Sequence, residues 1–169
     1  ASIENARDLL LNDEKESAEL ATITDLLRND LSLVAYNVTV EKFKHIDEIE
    51  TNRKNLLQQQ SVITGKIQSH LIDKPGFILE KLLPAGSISG APKSKTIQII
   101  KNTETHRRGY YTGIFGYSDG IKLESSVMIR YIEKRKNKMF YKSGGGITFM
   151  SDPEKEYNEL ADKIYVPIY

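Results

Sequence analysis

The chain has 169 residues, with 24 Lys+Arg against 23 Asp+Glu, no Cys, no Trp and 28% charged residues. That is the profile of one ordinary soluble domain and excludes a disordered or collagenous chain. A formal net charge of +1 supplies no long-range field toward nucleic acid or an anionic membrane, so anion binding has to come from local placement. Without Cys there is no disulfide framework and no thiolate zinc site, and no apolar run approaches the roughly 20 residues of a spanning helix. No basic stretch followed by an apolar run opens the sequence, so a cytoplasmic enzyme or binding protein is expected.

From Asp13 to Leu27, apolar residues at Leu20, Ile23 and Leu27 recur at the spacing of an amphipathic helix, which Arg28, Asn29 and Asp30 are expected to end. Leu31 to Ile49 alternates through Val34, Tyr36, Val38 and Val40, the pattern of strands. Between Asn55 and Leu71 a Gln run suits a helix while Ser61-Val62-Ile63-Thr64 suits a strand; a long strand is expected. Pro75 opens a short helix stopped by Pro84, the loop AGSISGA follows, and Pro92 starts a second helix. Tyr110 to Tyr117, Lys122 to Glu133 and Lys138 to Thr148 predict three strands of a meander, turning at Ser118-Asp119-Gly120 and at Lys134-Arg135-Lys136-Asn137-Lys138. Ser151-Asp152-Pro153-Glu154 caps a last helix running through Lys163. Without a βαβ rhythm, the class is α+β, antiparallel β-sheets with flanking helices.

Glu16 and Glu19 fall on the side of the first helix that carries Leu20, Ile23 and Leu27, so two carboxylates point where a partner is needed. Glu156 and Glu159 repeat the spacing on the last helix, with Lys163 on the same edge and Tyr157, Leu160 and Ile164 as the expected apolar face. Hard oxygen donors from two helices, without Cys or paired His, suit Mg²⁺; the alternative is a pair of solvated helix faces. Two loops offer backbone N–H groups to an anion: Pro84 to Lys93, just before a helix, and Gly144-Gly145-Gly146. Either glycine loop also serves as an ordinary turn. Arg130 ends an apolar strand, SSVMIR, where a charged fork suits a carboxylate or simply an edge strand. His45, His70 and His106 lack ligand spacing, the basic run 134–138 has no interleaved aromatics for single-stranded nucleic acid, and neither a P-loop nor a G-x-S-x-G elbow occurs.

Taken together, KESAELATITDLLRNDLS, PAGSISGAPKSKTIQII, RRGYYTGIFGY, SSVMIR and GGGITFMSDPEKEYNELADK resemble, in order and spacing, the C-terminal part of the chorismate-utilising enzymes. PAGSISGAPK resembles the ammonia-using branch, anthranilate synthase component I and aminodeoxychorismate synthase component I, and Ser87-Ile88 leans toward the latter. Gln58 stands where anthranilate synthases carry a histidine associated with carrying the reaction to the aromatic product, which leans the same way. The resemblance implies Mg²⁺ between Glu16 with Glu19 and Glu156 with Glu159. It implies substrate carboxylates held by Arg130, Tyr111, the backbone at Gly145 and Gly146, and Lys163, with Ser87 beside the ring.

The resemblance also implies an activity: chorismate and ammonia, the latter from a glutamine amidotransferase subunit, give 4-amino-4-deoxychorismate for para-aminobenzoate and folate. The family's PIKGT motif, with its catalytic lysine, is absent from these residues, so 1–169 is expected to be the C-terminal part of an anthranilate-synthase-type chorismate-binding domain. The catalytic residues themselves are then not assigned. Alternatives are anthranilate synthase component I and a non-catalytic binding or assembly fragment, inactive alone, whose exposed strand edges would favour self-association.

Overall fold

A computed structural model describes residues 3–50 and 55–164. The chain falls into two compact units, Ala1–Thr103 and Glu104–Tyr169, and mixes helices with small antiparallel sheets, the α+β class expected. Among the described residues no helix is long and apolar enough to cross a membrane.

The first unit opens with α1 (Ile3–Leu11), which the apolar spacing did not announce, and α2 (Glu14–Ser32). Asp13 caps α2, its side chain accepting from the Glu16 N–H at 2.9 Å. The expected stop at Arg28, Asn29 and Asp30 does not occur. Asp30 is buried and has a cationic partner in Lys93, and Ser32 donates back to the Arg28 carbonyl at 2.8 Å, so the last turn is held and the following strand starts at Ala35, not Leu31.

That strand, β1 (Ala35–Ile49), and β2 (Leu56–Ile67) form a long hairpin, registered from Ala35 opposite Ile67 to Ile49 opposite Leu56. Register shifts lie between Tyr36 and Thr39 and between Lys42 and His45. Asn37 and Lys44, at φ 52° and 54°, sit at those shifts, where an extra residue bulges and the ribbon twists. The Gln run belongs to β2, because alternate side chains can pair across strands: Gln60 donates to Asp47 on β1 and Gln59 reaches the Leu10 carbonyl at the end of α1. The inner side of α2 meets the ribbon through Thr24, whose hydroxyl lies 2.7 Å from the Leu20 carbonyl and 2.9 Å from the Ser61 hydroxyl. Val34, Ala35 and Leu71 are the buried apolar residues at this junction.

After a 3₁₀ turn (Ser69–Leu71) come α3 (Pro75–Leu82), a four-residue α4 (Gly86–Ser89) inside the segment expected to be loop, and α5 (Lys93–Thr103). The loop folds into a helical turn because Gly86 lets its backbone settle on α2: a Cβ there would stand 3.0 Å from the Leu26 Cβ and 3.1 Å from Asp30 Oδ2.

In the second unit the expected meander is two separate hairpins, β3 (Ile114–Ser118) with β4 (Leu123–Val127) and β5 (Tyr131–Arg135) with β6 (Lys138–Lys142). Lys122 to Glu133 breaks because Met128 turns back on the β3 side: the Thr112 N–H donates to its carbonyl and its own N–H donates to the Gly113 carbonyl, both at 2.9 Å. Tyr110 to Gly113 is therefore a turn, closed by the Gly113 N–H on the Tyr110 carbonyl, and Ser143 to Thr148 lies outside β6. Asp119 makes its predicted turn, accepting from the Ile121 and Lys122 N–H groups at 2.8 and 2.7 Å, which holds its carboxyl below the usual range. The other turn is only Lys136-Asn137; Lys134 and Arg135 are in β5 and Lys138 in β6.

The last helix, α6 (Pro153–Asp162), starts as expected: Asp152 accepts from the Lys155 N–H at 2.9 Å and Pro153 occupies the first turn. Its inner side differs. Tyr157 is 70% exposed and Ile164 43%, while Glu156, Leu160 and Lys163 are half-buried, so the covered face is rotated by about one residue and carries a carboxylate.

Candidate functional site

Glu16 and Glu19 are both half-buried on the side of α2 that carries Leu20 and Ile23, as the helical wheel required. Among the described residues Glu19 Oε1 is buried with no hydrogen bond, and Lys15 Nζ stands 3.7 Å away. A carboxylate oxygen in that condition suits a hard cation, since a metal bond would offset its lost hydration.

The segment Pro84 to Lys93 is a joint between helices. Lys93 Nζ pairs with Asp30 Oδ1 at 2.6 Å, while Asp30 Oδ2, buried without a hydrogen bond, faces Gly86. The sequence treated Lys93 as part of an anion loop, whereas its charge is already engaged from below. Ser87 stands exposed on α4, and Ser89, 1% exposed, anchors the turn on the Ala85 carbonyl. Gly86 rests on Leu26, seven residues past Glu19 along α2, a separation of about 10 Å along the helix axis.

The second unit assembles more of the candidate residues. Tyr111 leans on the glycine run so closely that a Cβ on Gly144 would overlap its hydroxyl. Next in the run, a Cβ on Gly145 would come 4.0 Å from Glu156 Oε2, whose other oxygen accepts from the Ser151 hydroxyl at 2.6 Å. Burial pushes the Tyr111 phenol above its ordinary pKa, against the pull of the nearby Arg108 and Arg130 cations; the charge of Glu104 acts with burial. Arg130 follows β4 in the break before β5, half-buried, and does not end a continuous strand. Thus Tyr111, Arg130, the bare backbone of 144–146 and Glu156 share one end of this unit, an arrangement able to receive a carboxylate from a cation, a phenol and backbone donors. Lys163 instead pairs with Glu159 one helical turn back, and its carbonyl accepts from the Tyr141 hydroxyl at 3.4 Å.

Two residues the sequence left unremarked stand behind Tyr111. Glu104 and Arg108 form a forked ion pair, with Nε at 2.8 and 3.1 Å from the two carboxylate oxygens and Nη2 at 2.5 Å from Oε1. The guanidinium lies 5.5 Å from the centre of the Tyr111 ring. The i,i+4 charge spacing was visible, but it predicts a helix surface pair, and this pair sits beyond the end of α5.

Glu16 and Glu19 belong to the first unit, Glu156 and Glu159 to the second, and among the described residues no group of three or more His, Asp or Glu is gathered to hold a metal ion. Within each unit the donors fit Mg²⁺ chemically: the unsatisfied Glu19 oxygen in one, and in the other a half-buried Glu156 one turn from Glu159. On α6 a cation would compete with Lys163 for Glu159.

Comparison with known proteins agrees with these motifs. The chain is 51% identical over 168 residues to an "Uncharacterized PabA-like protein" of Haemophilus influenzae, covering 99% of this chain and 51% of the relative. It is 37% identical over 167 residues to a "Putative aminodeoxychorismate synthase" of Schizosaccharomyces pombe (96% and 22%) and 38% identical over 164 residues to an "Anthranilate synthase component 1" of Acetivibrio thermocellus (91% and 31%). The chain thus spans about half the length of the Haemophilus influenzae relative and less of the other two. The family described as chorismate binding enzyme matches residues 2–168, and the chain belongs to that family.

Proposed function

We propose that this chain supplies chorismate-binding and metal-binding groups to a synthase that makes 4-amino-4-deoxychorismate from chorismate and ammonia. The observation that carries it is the cluster of Tyr111, Arg130, the 144–146 backbone and Glu156 at one end of the second unit. Chorismate carries two carboxylates. Arg130 offers a planar fork to one of them, and unlike lysine it stays charged when water is excluded. The Tyr111 hydroxyl, like any phenol protonated at neutral pH, donates a hydrogen bond, and the Gly145 and Gly146 N–H groups approach where no side chain intervenes. Ser87 is assigned to the ring. By the family resemblance Glu16, Glu19, Glu156 and Glu159 would hold Mg²⁺, which would supply positive charge toward a substrate carboxylate, and Lys163 would offer a further cation to the substrate. Together these groups fix the ring while its hydroxyl is exchanged, and positioning of this kind is a large part of catalysis.

The likeness to the Schizosaccharomyces pombe protein and Gln58 in place of a histidine support the aminodeoxychorismate product; the likeness to anthranilate synthase component 1 supports the second choice, anthranilate. A glutamine amidotransferase subunit would deliver the ammonia, and the product would serve folate formation through para-aminobenzoate. The test is product identity: the complete protein with Mg²⁺, ammonia and chorismate yields a compound that becomes para-aminobenzoate only when a lyase is added. Direct appearance of anthranilate transfers the assignment to the second choice, and no turnover with chorismate bound leaves a binding fragment.

A further inference from the structure

Tyr111 is met at two places, its ring by the Arg108 guanidinium and its hydroxyl by Gly144, and the Glu104–Arg108 pair is not among the substrate groups above. The Arg108 guanidinium stands 5.5 Å from the ring centre, within the range of a cation–π contact. Its fork is spent: Nε and Nη2 go to Glu104, and Nη1 lies 3.3 Å from the Thr112 hydroxyl. The pair is tight by its electrostatics as well, with the Glu104 carboxyl held below and the Arg108 guanidinium above the ordinary value, each chiefly by their mutual hydrogen bonds. Thr112 has φ 66°, costly for a β-branched residue, so the turn carrying Tyr111 keeps its shape because Arg108 and the Met128 carbonyl tie it down. At its far end the tyrosine hydroxyl packs on Gly144, where a Cβ would overlap it and force the side chain to shift.

We propose that the Glu104–Arg108 ion pair and the bare Cα of Gly144 form a clamp that holds Tyr111 in the one rotamer able to donate to a substrate carboxylate, which makes Glu104, Arg108 and Gly144 positioning residues. The identity of the ligand rests on the chorismate assignment; the clamp does not. An unclamped tyrosine spreads over three χ1 wells, and apparent affinity falls with the fraction in the competent one, roughly three- to tenfold.

The experiment uses the complete protein carrying 3-fluorotyrosine, with the residue 111 fluorine resonance assigned by Tyr111→Phe. Glu104→Gln and Arg108→Gln each shift and broaden that resonance and raise the chorismate KM about three- to tenfold, with kcat changed less than twofold. Arg108→Lys keeps a cation at the ring but loses the fork, and falls between. Gly144→Ala, acting at the hydroxyl, displaces the same resonance and raises the same KM. An unmoved resonance in the Glu104 and Arg108 variants overturns the clamp, and a moved resonance with unchanged KM overturns its role in recognition. If the parent protein does not use chorismate, the substrate assignment fails while the fluorine spectra still decide the clamp.

Discussion

Removing the cation beneath α4 gives the sharpest test of how the segment 84–93 is held. Lys93 Nζ lies 2.6 Å from Asp30 Oδ1, their side chains are 28% and 10% exposed, and Asp30 Oδ2 has no hydrogen bond. In Lys93→Met the Asp30 carboxylate loses its ion-pair partner. Breaking a fully buried pair costs about 3–5 kcal/mol; water reaches Lys93 here, so roughly half of that, about 2 kcal/mol, is expected. For a chain of this size that lowers the thermal midpoint by about 4–8 °C. The double variant Asp30→Asn with Lys93→Met puts a neutral amide where the stranded charge would be and recovers much of the loss. Calorimetry of parent, single and double variants is the assay. A single variant melting with the parent, or a double variant no better than the single, would refute the buried-pair explanation.

Three other outcomes are expected. Glu159→Gln lowers Mg²⁺-dependent chorismate turnover by at least tenfold, with the thermal midpoint unmoved within about 2 °C, because its exposed pair with Lys163 contributes only tenths of a kcal/mol; unchanged turnover removes Glu159 from the metal set. Asp152→Ala strips the cap from α6 and costs about 1 kcal/mol, read as faster amide exchange at the Lys155 N–H, and unchanged exchange would contradict the cap. Because folding lowers the Glu104 carboxyl pKa, its contribution is full above the unfolded value and disappears as pH falls through the folded one. The melting difference between parent and Glu104→Gln is therefore present at neutral pH and closes in acid; a gap independent of pH contradicts the pairing.

What the sequence revealed is what depends on periodicity and caps. Leu20, Ile23 and Leu27 located α2, Asp152 and Pro153 located α6, and the inward Glu16 and Glu19 followed from the same wheel. Where tertiary partners decide, local pattern misled. Asp30 reads as a helix stop until Lys93, from the start of α5, neutralises it. The strand predicted from Lys122 to Glu133 breaks because Met128 bonds back to Thr112 and Gly113, contacts that no local alternation encodes. On α6 the apolar side chains Tyr157 and Ile164 pointed to one face, yet the covered face carries Glu156 and Lys163. Arg130 and the glycine run stood out by residue type and Tyr111 through motifs that resemble one family, while the Glu104–Arg108 pair and the packing of the Tyr111 hydroxyl on Gly144 were not legible, because they appear only once the turn at Tyr110 to Gly113 has brought the ring to the glycine run.

A crystal structure of the complete protein with chorismate and Mg²⁺ tests the carboxylate-binding assignment most directly. One carboxylate of the bound molecule is expected within hydrogen-bonding distance of the Arg130 guanidinium, the Tyr111 hydroxyl and the N–H of Gly145 or Gly146. Chorismate density elsewhere, with Arg130 and Tyr111 facing only water, would contradict it.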